Sequence, residues 1–258
     1  MAKVCRIPRR RVSERPMPDL CKIYLMGEID YLESWVLQKS LIHLRGEKLI
    51  SDTLLLLEHP HVFTVGRRGN RSDILGTDGT GPNGGVPIYE VDRGGETTYH
   101  GPGQLIGYPI FALKELMGPV KYVRTLENAL IEALLQFEVK AHKIPGQTGV
   151  WVTNDSSRMR KKIAAIGVRF SRGVTSHGFA LKVNTNLGYF QHIVACGIEN
   201  LEVTSVNEQI GSEVEIGIVQ KTVANALCNH FNLEPSWADA IQLKHLLTGS
   251  LRQGGPLS

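Results

Sequence analysis

Cysteine is scarce: Cys5, Cys21, Cys196 and Cys228 are the only four in 258 residues. None belongs to a C-x-x-C pair, and no histidine spacing completes a zinc set. A disulfide framework is therefore not expected, and a reducing compartment is. Long apolar runs are missing too. A membrane-spanning helix needs roughly 18 consecutive apolar residues or more, and no such run exists. The N-terminus lacks the apolar stretch of a secretory signal. Charge excess is small, with 29 Lys and Arg against 25 Asp and Glu. A net +4 steers acidic partners but does not argue for nucleic acid. No internal repeat, low-complexity tract or Gly-Lys-Ser/Thr phosphate loop occurs.

What is present is ordinary globular composition, 42% hydrophobic, enough for a sizeable core. Lys3, Arg6, Arg9, Arg10 and Arg11 precede the first acid, Glu14, and Pro8, Pro16 and Pro18 discourage regular structure. Residues 1–20 are expected to be a flexible basic tail, with a trimmed organellar presequence as the alternative. Residues 21–258 are expected to form one catalytic domain, with room for a C-terminal helical lobe over 214–258.

Periodicity predicts strands at 22–26, 53–57, 62–65, 87–91, 105–111, 140–144 and 150–152. The runs 163–170 and 178–183 pair around the turn Ser171-Arg172-Gly173. Helices are predicted over 29–45, 120–138, 214–232 and 236–248, and a Gly-rich loop over 76–86. Strands and helices do not alternate strictly, which excludes a doubly wound parallel sheet. The fold class is α/β of the α+β type, a mixed central sheet flanked by helices.

Four stretches hold candidate chemistry. The densest is Arg93-Gly94-Gly95-Glu96-Thr97-Thr98-Tyr99-His100-Gly101-Pro102-Gly103-Gln104, read as a loop that wraps a ligand. Cys196 is followed by Gly197, whose backbone N–H is available to an oxyanion. Alone it also fits an inert core cysteine. Lys162 heads the apolar strand Ile163–Val168, and an amine held at the rim of a dry pocket exchanges protons readily. Lys161 competes for that role and is expected to be the exposed one. In Thr175-Ser176-His177-Gly178-Phe179-Ala180, His177 is a possible base for Cys196, or part of a polar turn. Gly178 and Ala180 leave room for an apolar chain.

The order of these motifs carries a resemblance. Gly66-Arg67-Arg68-Gly69 precedes Arg93–Gln104, then Gly149–Val152, Lys162–Val168, Thr175–Leu181, Ala195–Ile198 and Glu202–Val206. From about residue 22 to 232 the chain resembles the lipoyl(octanoyl) transferases of lipoate biosynthesis. The resemblance implies the catalytic-domain fold of biotin and lipoate protein ligases. It implies transfer of an octanoyl group from octanoyl-acyl carrier protein to a lysine of lipoyl domains, without ATP or another cofactor. The acceptors implied are 2-oxoacid dehydrogenase E2 subunits and the glycine cleavage H protein. Cys196 is implied as thioester nucleophile and Lys162 as the lysine that activates it. The acyl-binding positions map to Arg93, Gly94, Gly95, Glu96, Thr97, Thr98, Tyr99 and His100, to Ala165, Ile166 and Gly167, and to Gly178, Phe179 and Ala180. A cytoplasmic monomer without metal is expected, or an organellar one if the basic start is a presequence. The rivals are an ATP-dependent ligase on the same fold, a Cys–His hydrolase using His177 or His192, and a carrier-binding module without catalysis.

Overall fold

The computed structural model describes residues 19–75, 85–113, 117–153, 158–198 and 201–243. Most of the basic tail and of the 76–86 loop lies outside the described residues, as does everything after 243.

The chain runs β1 (Asp19–Glu28), α1 (Tyr31–Gly46), β2 (Asp52–Glu58), β3 (Val62–Val65), β4 (Ile88–Glu90), β5 (Thr97–His100) and β6 (Gln104–Ile110). It continues with α2 (Pro119–Leu135), β7 (Ala141–Ile144), β8 (Gln147–Thr153), β9 (Arg160–Ser171) and β10 (Val174–Lys182). It closes with α3 (Val206–Ile210), α4 (Ile216–Phe231) and β11 (Leu233–Ala238). The main sheet has eight strands in the order β11-β1-β2-β6-β10-β9-β8-β7, and a second sheet has the order β4-β3-β5. β1 pairs parallel with both β2 and β11, whereas β2, β6, β10, β9, β8 and β7 are antiparallel in succession. The sheet is mixed and flanked by helices, as the pattern of elements predicts.

The run Thr53–Leu57 shows why this sheet forms. A strand side chain changes face at every residue. Leu54 and Leu56 enter the core shared with α2 and α4, while Leu55 and Leu57 enter the one shared with α1. All four leucines are fully buried, so the strand needs apolar residues at consecutive positions. Burial stabilises by about 1.5–3 kcal/mol for each such side chain. At the head of α1, Asp30 Oδ1 accepts from the backbone N–H of Leu32 at 2.8 Å and of Glu33 at 3.2 Å. Pro119 opens α2, where its missing N–H costs nothing.

The helix expected over 236–248 is corrected at its start. Asn232 ends α4 in a left-handed conformation, φ 52°, and turns the chain back. β11 then adds to the sheet edge beside β1, and Pro235 is tolerated there because an edge strand can spare a donor. A helix begins only at Ala240, and 244–248 lie outside the described residues. α4 packs against α2 over the main sheet. The Arg93–Gln104 segment is also corrected: only its first part is loop, because Thr97–His100 pairs with β3 as β5. Among the described residues no helix is long and apolar enough to cross a membrane.

Candidate active site

Where β9 and β10 face β5 and the Cys196 turn, a cavity of about 500 Å³ opens. Cys196 and Lys162 both line it, as do Arg93, Gly94, Gly95, Glu96, Thr97, Thr98 and His100. So do Ala165, Ile166, Gly167, Gly178, Phe179 and Ala180. Of the residues expected from sequence, Tyr99 alone does not. It faces the other side of β5, fully buried, with its hydroxyl on His61 Nδ1 at 2.7 Å and its ring stacked on Tyr189 at 4.7 Å. Alternation along β5 turns Tyr99 away from the face that Thr98 and His100 share, although Thr97, at the start of the strand, still lines the cavity.

Two strands set the floor. In the β9–β10 pairing Gly167 lies opposite Gly178 and Ala165 opposite Ala180. The small residues serve packing before they serve a ligand. A Cβ on Gly178 would lie 2.0 Å from the Gly107 carbonyl oxygen of β6, so its smallness lets two strands approach. A Cβ on Gly167 would lie 2.7 Å from the Gly94 carbonyl oxygen. That contact seats the Arg93–Glu96 loop on the sheet, and the Gly94 N–H donates to the Val168 carbonyl at 3.0 Å.

Lys162 is only 4% exposed, and its Nζ stands 4.7 Å from the centre of the Trp151 ring. Lys161 points outward to Glu208 at 3.3 Å, as expected of the competitor. Cys196 sits in the tight turn Ala195–Gly197, part-exposed, with φ 56° and ψ 25°. A non-glycine residue in this left-handed region is strained, and such strain collects at functional sites. The following turn residue meets the loop: a Cβ on Gly197 would lie 3.2 Å from Glu96 Cγ.

Several polar residues in and behind the lining are deeply buried. Arg93 donates from Nη2 to the Thr64 carbonyl at 2.8 Å and to Thr64 Oγ1 at 2.9 Å, and from Nη1 to the Gly94 carbonyl at 3.1 Å. Burial opposes its charge, while Tyr31, Cys196, Tyr108 and Glu96 favour it. His100 pairs through Nδ1 with Gln104 Oε1 at 2.8 Å, and burial first, then His59 and Arg93, push it well below the usual imidazole range. His59, just behind it, bridges the Ile29 carbonyl at 2.6 Å and the Tyr108 hydroxyl at 2.8 Å, and burial lowers it to about 4. His177 meets Asp92 Oδ1 at 2.7 Å, and burial, Arg93, Arg169 and Lys39 lower it to about 3. Its other nitrogen, Nδ1, is buried without a hydrogen-bond partner. So weak a base is poorly matched to deprotonating a thiol near neutrality. His192, the alternative base, does not line the cavity.

Sequence reasoning missed Tyr31, Arg68, Ile106, Tyr108, Val123, the hairpin turn Gly146–Thr148, Val168 and Ile198. Ile106 and Tyr108 follow from alternation once β6 is placed in the sheet; Arg68, Val168 and Ile198 lie in the motifs quoted above, and nothing local marks the rest. Arg68 belongs to the basic loop and pairs with Glu96 at 2.9 Å. Among the described residues no group of three or more His, Cys, Asp or Glu is arranged to hold a metal ion.

Comparison with known proteins gives the site its context. The chain is 47% identical over 196 residues to an octanoyltransferase of Acidobacterium capsulatum, covering 73% of this chain and 80% of that one. It is 42% identical over 213 residues to an octanoyltransferase of Myxococcus xanthus, covering 82% of this chain but 60% of that one. Against an octanoyltransferase of Koribacter versatilis the identity is 40%, over 86% of this chain and 88% of the relative. Solved structures share the fold at low identity. The bipartite lipoate protein ligase of Thermoplasma acidophilum superposes with a TM-score of 0.66 at 16% identity, over 91% and 92% of the two chains. Plasmodium falciparum LipL1 in complex with lipoate gives 0.67 at 13%, over 88% and 68%. The family model described as the lipoyl protein ligase A/B catalytic domain matches residues 30–228, and this chain belongs to that family.

Proposed function

We propose that this protein transfers an octanoyl group from octanoyl-acyl carrier protein to a lysine of lipoyl domains, through a thioester on Cys196. The observation that carries the reading is that Cys196 and Lys162, distant in sequence, line one cavity. Its other walls carry apolar side chains, among them Ile106, Ile166, Val168 and Phe179. A cavity of about 500 Å³ is in the range of small-ligand sites. Each methylene buried there adds about 0.8 kcal/mol of binding. Relatives named octanoyltransferase support octanoyl transfer as the overall reaction.

In the first half-reaction the Cys196 thiolate attacks the carrier thioester. The carrier sulfur leaves and takes a proton from Lys162. The Gly197 N–H and the Arg93–Glu96 loop are the candidates to hold the oxyanion. In the second half-reaction the lipoyl-domain lysine gives a proton to Lys162 and attacks the Cys196 thioester. An amide forms and the thiolate is regenerated. Thioester to thioester to amide runs downhill, so no nucleotide is consumed. The acceptors proposed are E2 subunits and the glycine cleavage H protein, and the setting proposed is the cytoplasm.

Intact mass of the protein after incubation with octanoyl-acyl carrier protein, without ATP, tests this. A single octanoyl adduct is expected, absent in Cys196→Ala. If no adduct forms and a lipoyl domain is octanoylated only when ATP and free octanoate are supplied, the protein is a ligase instead.

A further inference from the structure

The mechanism above leaves one buried lysine unused. Lys182, the last residue of β10, is 2% exposed. Its Nζ donates to the carbonyl of Lys162 at 3.2 Å and stands 3.5 Å from that of Ile163. The ring of Phe190 lies 5.0 Å from it on another side. Among the described residues no carboxylate forms an ion pair with Lys182, which is costly for a buried ammonium. Such a residue is expected to be replaced by an apolar one unless its charge or its donors are used.

Both have an evident use. The Lys162 carbonyl also accepts from the Thr204 N–H at 3.2 Å, and the Lys162 N–H donates to the Glu202 carbonyl at 2.9 Å. The peptide that carries the candidate proton donor is thus gripped from two sides, by segment 202–204 and by the Lys182 amine. The charged groups that act on Lys182 are Lys162 from β9 and Cys196 from the nucleophile turn. Burial lowers the Lys182 amine to about 7, Cys196 pulls it back up, and Lys162 pushes it further down. Two amines therefore compete for charge in this corner of the fold.

We propose that Lys182 is a positioning residue for the Cys196–Lys162 site, clamping the main chain of Lys162 and supplying a second buried amine that favours the Cys196 thiolate. This rests on the reading of Cys196 as nucleophile. It assigns the site a cationic pair in place of a single lysine. The free thiolate, before attack and again after deacylation, then has a second positive neighbour beside Lys162.

The test is the rate of iodoacetamide alkylation of Cys196, resolved by peptide mass spectrometry, from pH 6 to 9. It uses the wild-type chain, Lys182→Met and Lys182→Gln. Met fills the volume with neither charge nor donor, and Gln keeps a donor without charge. Both variants should alkylate Cys196 at least fivefold more slowly at pH 7, with the gap closing towards pH 9. Gln should recover more octanoyl-transfer kcat than Met, because it restores part of the clamp. A variant with the wild-type alkylation profile overturns the proposal, even if its melting temperature falls, because that would make Lys182 merely structural. Should the Met variant fail to fold, the Gln profile decides alone. Full acyl transfer by Cys196→Ala would retire the nucleophile reading instead, and alkylation does not depend on that outcome.

Discussion

The two walls of the cavity are built by different physics. The β9–β10 wall is sheet: ladder hydrogen bonds in register from Val174–Ser171 to Leu181–Ala164, with Ile163, Ala164 and Leu181 fully buried behind it. The facing wall, Arg93–His100 with the Ala195–Ile198 turn, has only the short β3–β5 ladder and depends otherwise on individual polar contacts. Arg93 clasps Thr64, Thr97 Oγ1 donates to Asp73 Oδ2 at 2.8 Å, and His100 meets Gln104. The first wall fixes Lys162 through cooperative packing. The second presents Cys196 on a strained turn. Damage to the sheet wall should therefore register as lost stability, and damage to the polar wall as pH sensitivity.

The largest stability effect expected breaks the sheet wall. Gly178→Ala puts a methyl 2.0 Å from the Gly107 carbonyl oxygen, an overlap only backbone movement relieves. The cost is about 3 kcal/mol or more. Chemical denaturation should show it as a lower midpoint at pH 7; an unchanged midpoint would mean that β6 and β10 are not packed this closely.

Acid probes the polar wall through His100, together with the buried imidazoles of His59 behind it and His177 on β10. His59, His100 and His177 are all held below the ordinary imidazole value. The unfolded chain binds protons at these positions from about pH 6.5 downward, and the folded chain refuses them until lower pH. Stability is therefore complete above pH 6.5 and is lost as pH falls towards 4. For His59 the loss is on the order of 3 kcal/mol between pH 6.5 and 4. Melting temperature between pH 7.5 and 4.5 should fall, and fall less steeply in His59→Gln, whose starting stability is lower. Equal slopes would remove His59 from the account.

The same division explains what could be read from sequence. Burial on two faces writes itself as Leu54–Leu57, and the turn Ser171-Arg172-Gly173 announces the β9–β10 hairpin, so the sheet wall was legible from pattern. Lys162 followed because it heads that strand. The polar wall was legible only as a cluster of residue types. Its glycines and hydroxyls suggested a loop, whereas cross-strand pairing with β3 makes Thr97–His100 a strand and turns Tyr99 away. β11 was missed because its sequence, Leu233-Glu234-Pro235-Ser236-Trp237-Ala238, has weak alternation and gains its ladder only from β1. Lys182 ends an apolar run and looks like a solvated strand end; only the fold buries it beneath Lys162. Cys196 looks like an inert cysteine until motif order, and then the cavity, groups it with Lys162.

The smallest effect tests the join between the walls. Tyr31, the first residue of α1, lines the cavity and stacks on His100 with 6.0 Å between ring centres. Asp30 fixes where that helix starts through its two backbone hydrogen bonds. Asp30→Ala should cost about 1 kcal/mol, the usual loss for an N-cap, whereas Asp30→Asn caps as well and should cost a few tenths at most. If capping alone is at stake, the two variants will differ in melting temperature at pH 7 and run parallel towards acid. If the Asp30 charge also supports His59, which it favours in protonated form, both variants will lose stability more steeply below pH 6.5 than the wild type. A shared steepening would tie the first turn of α1 to the polar wall electrostatically. Its absence would leave Asp30 a helix cap and nothing more.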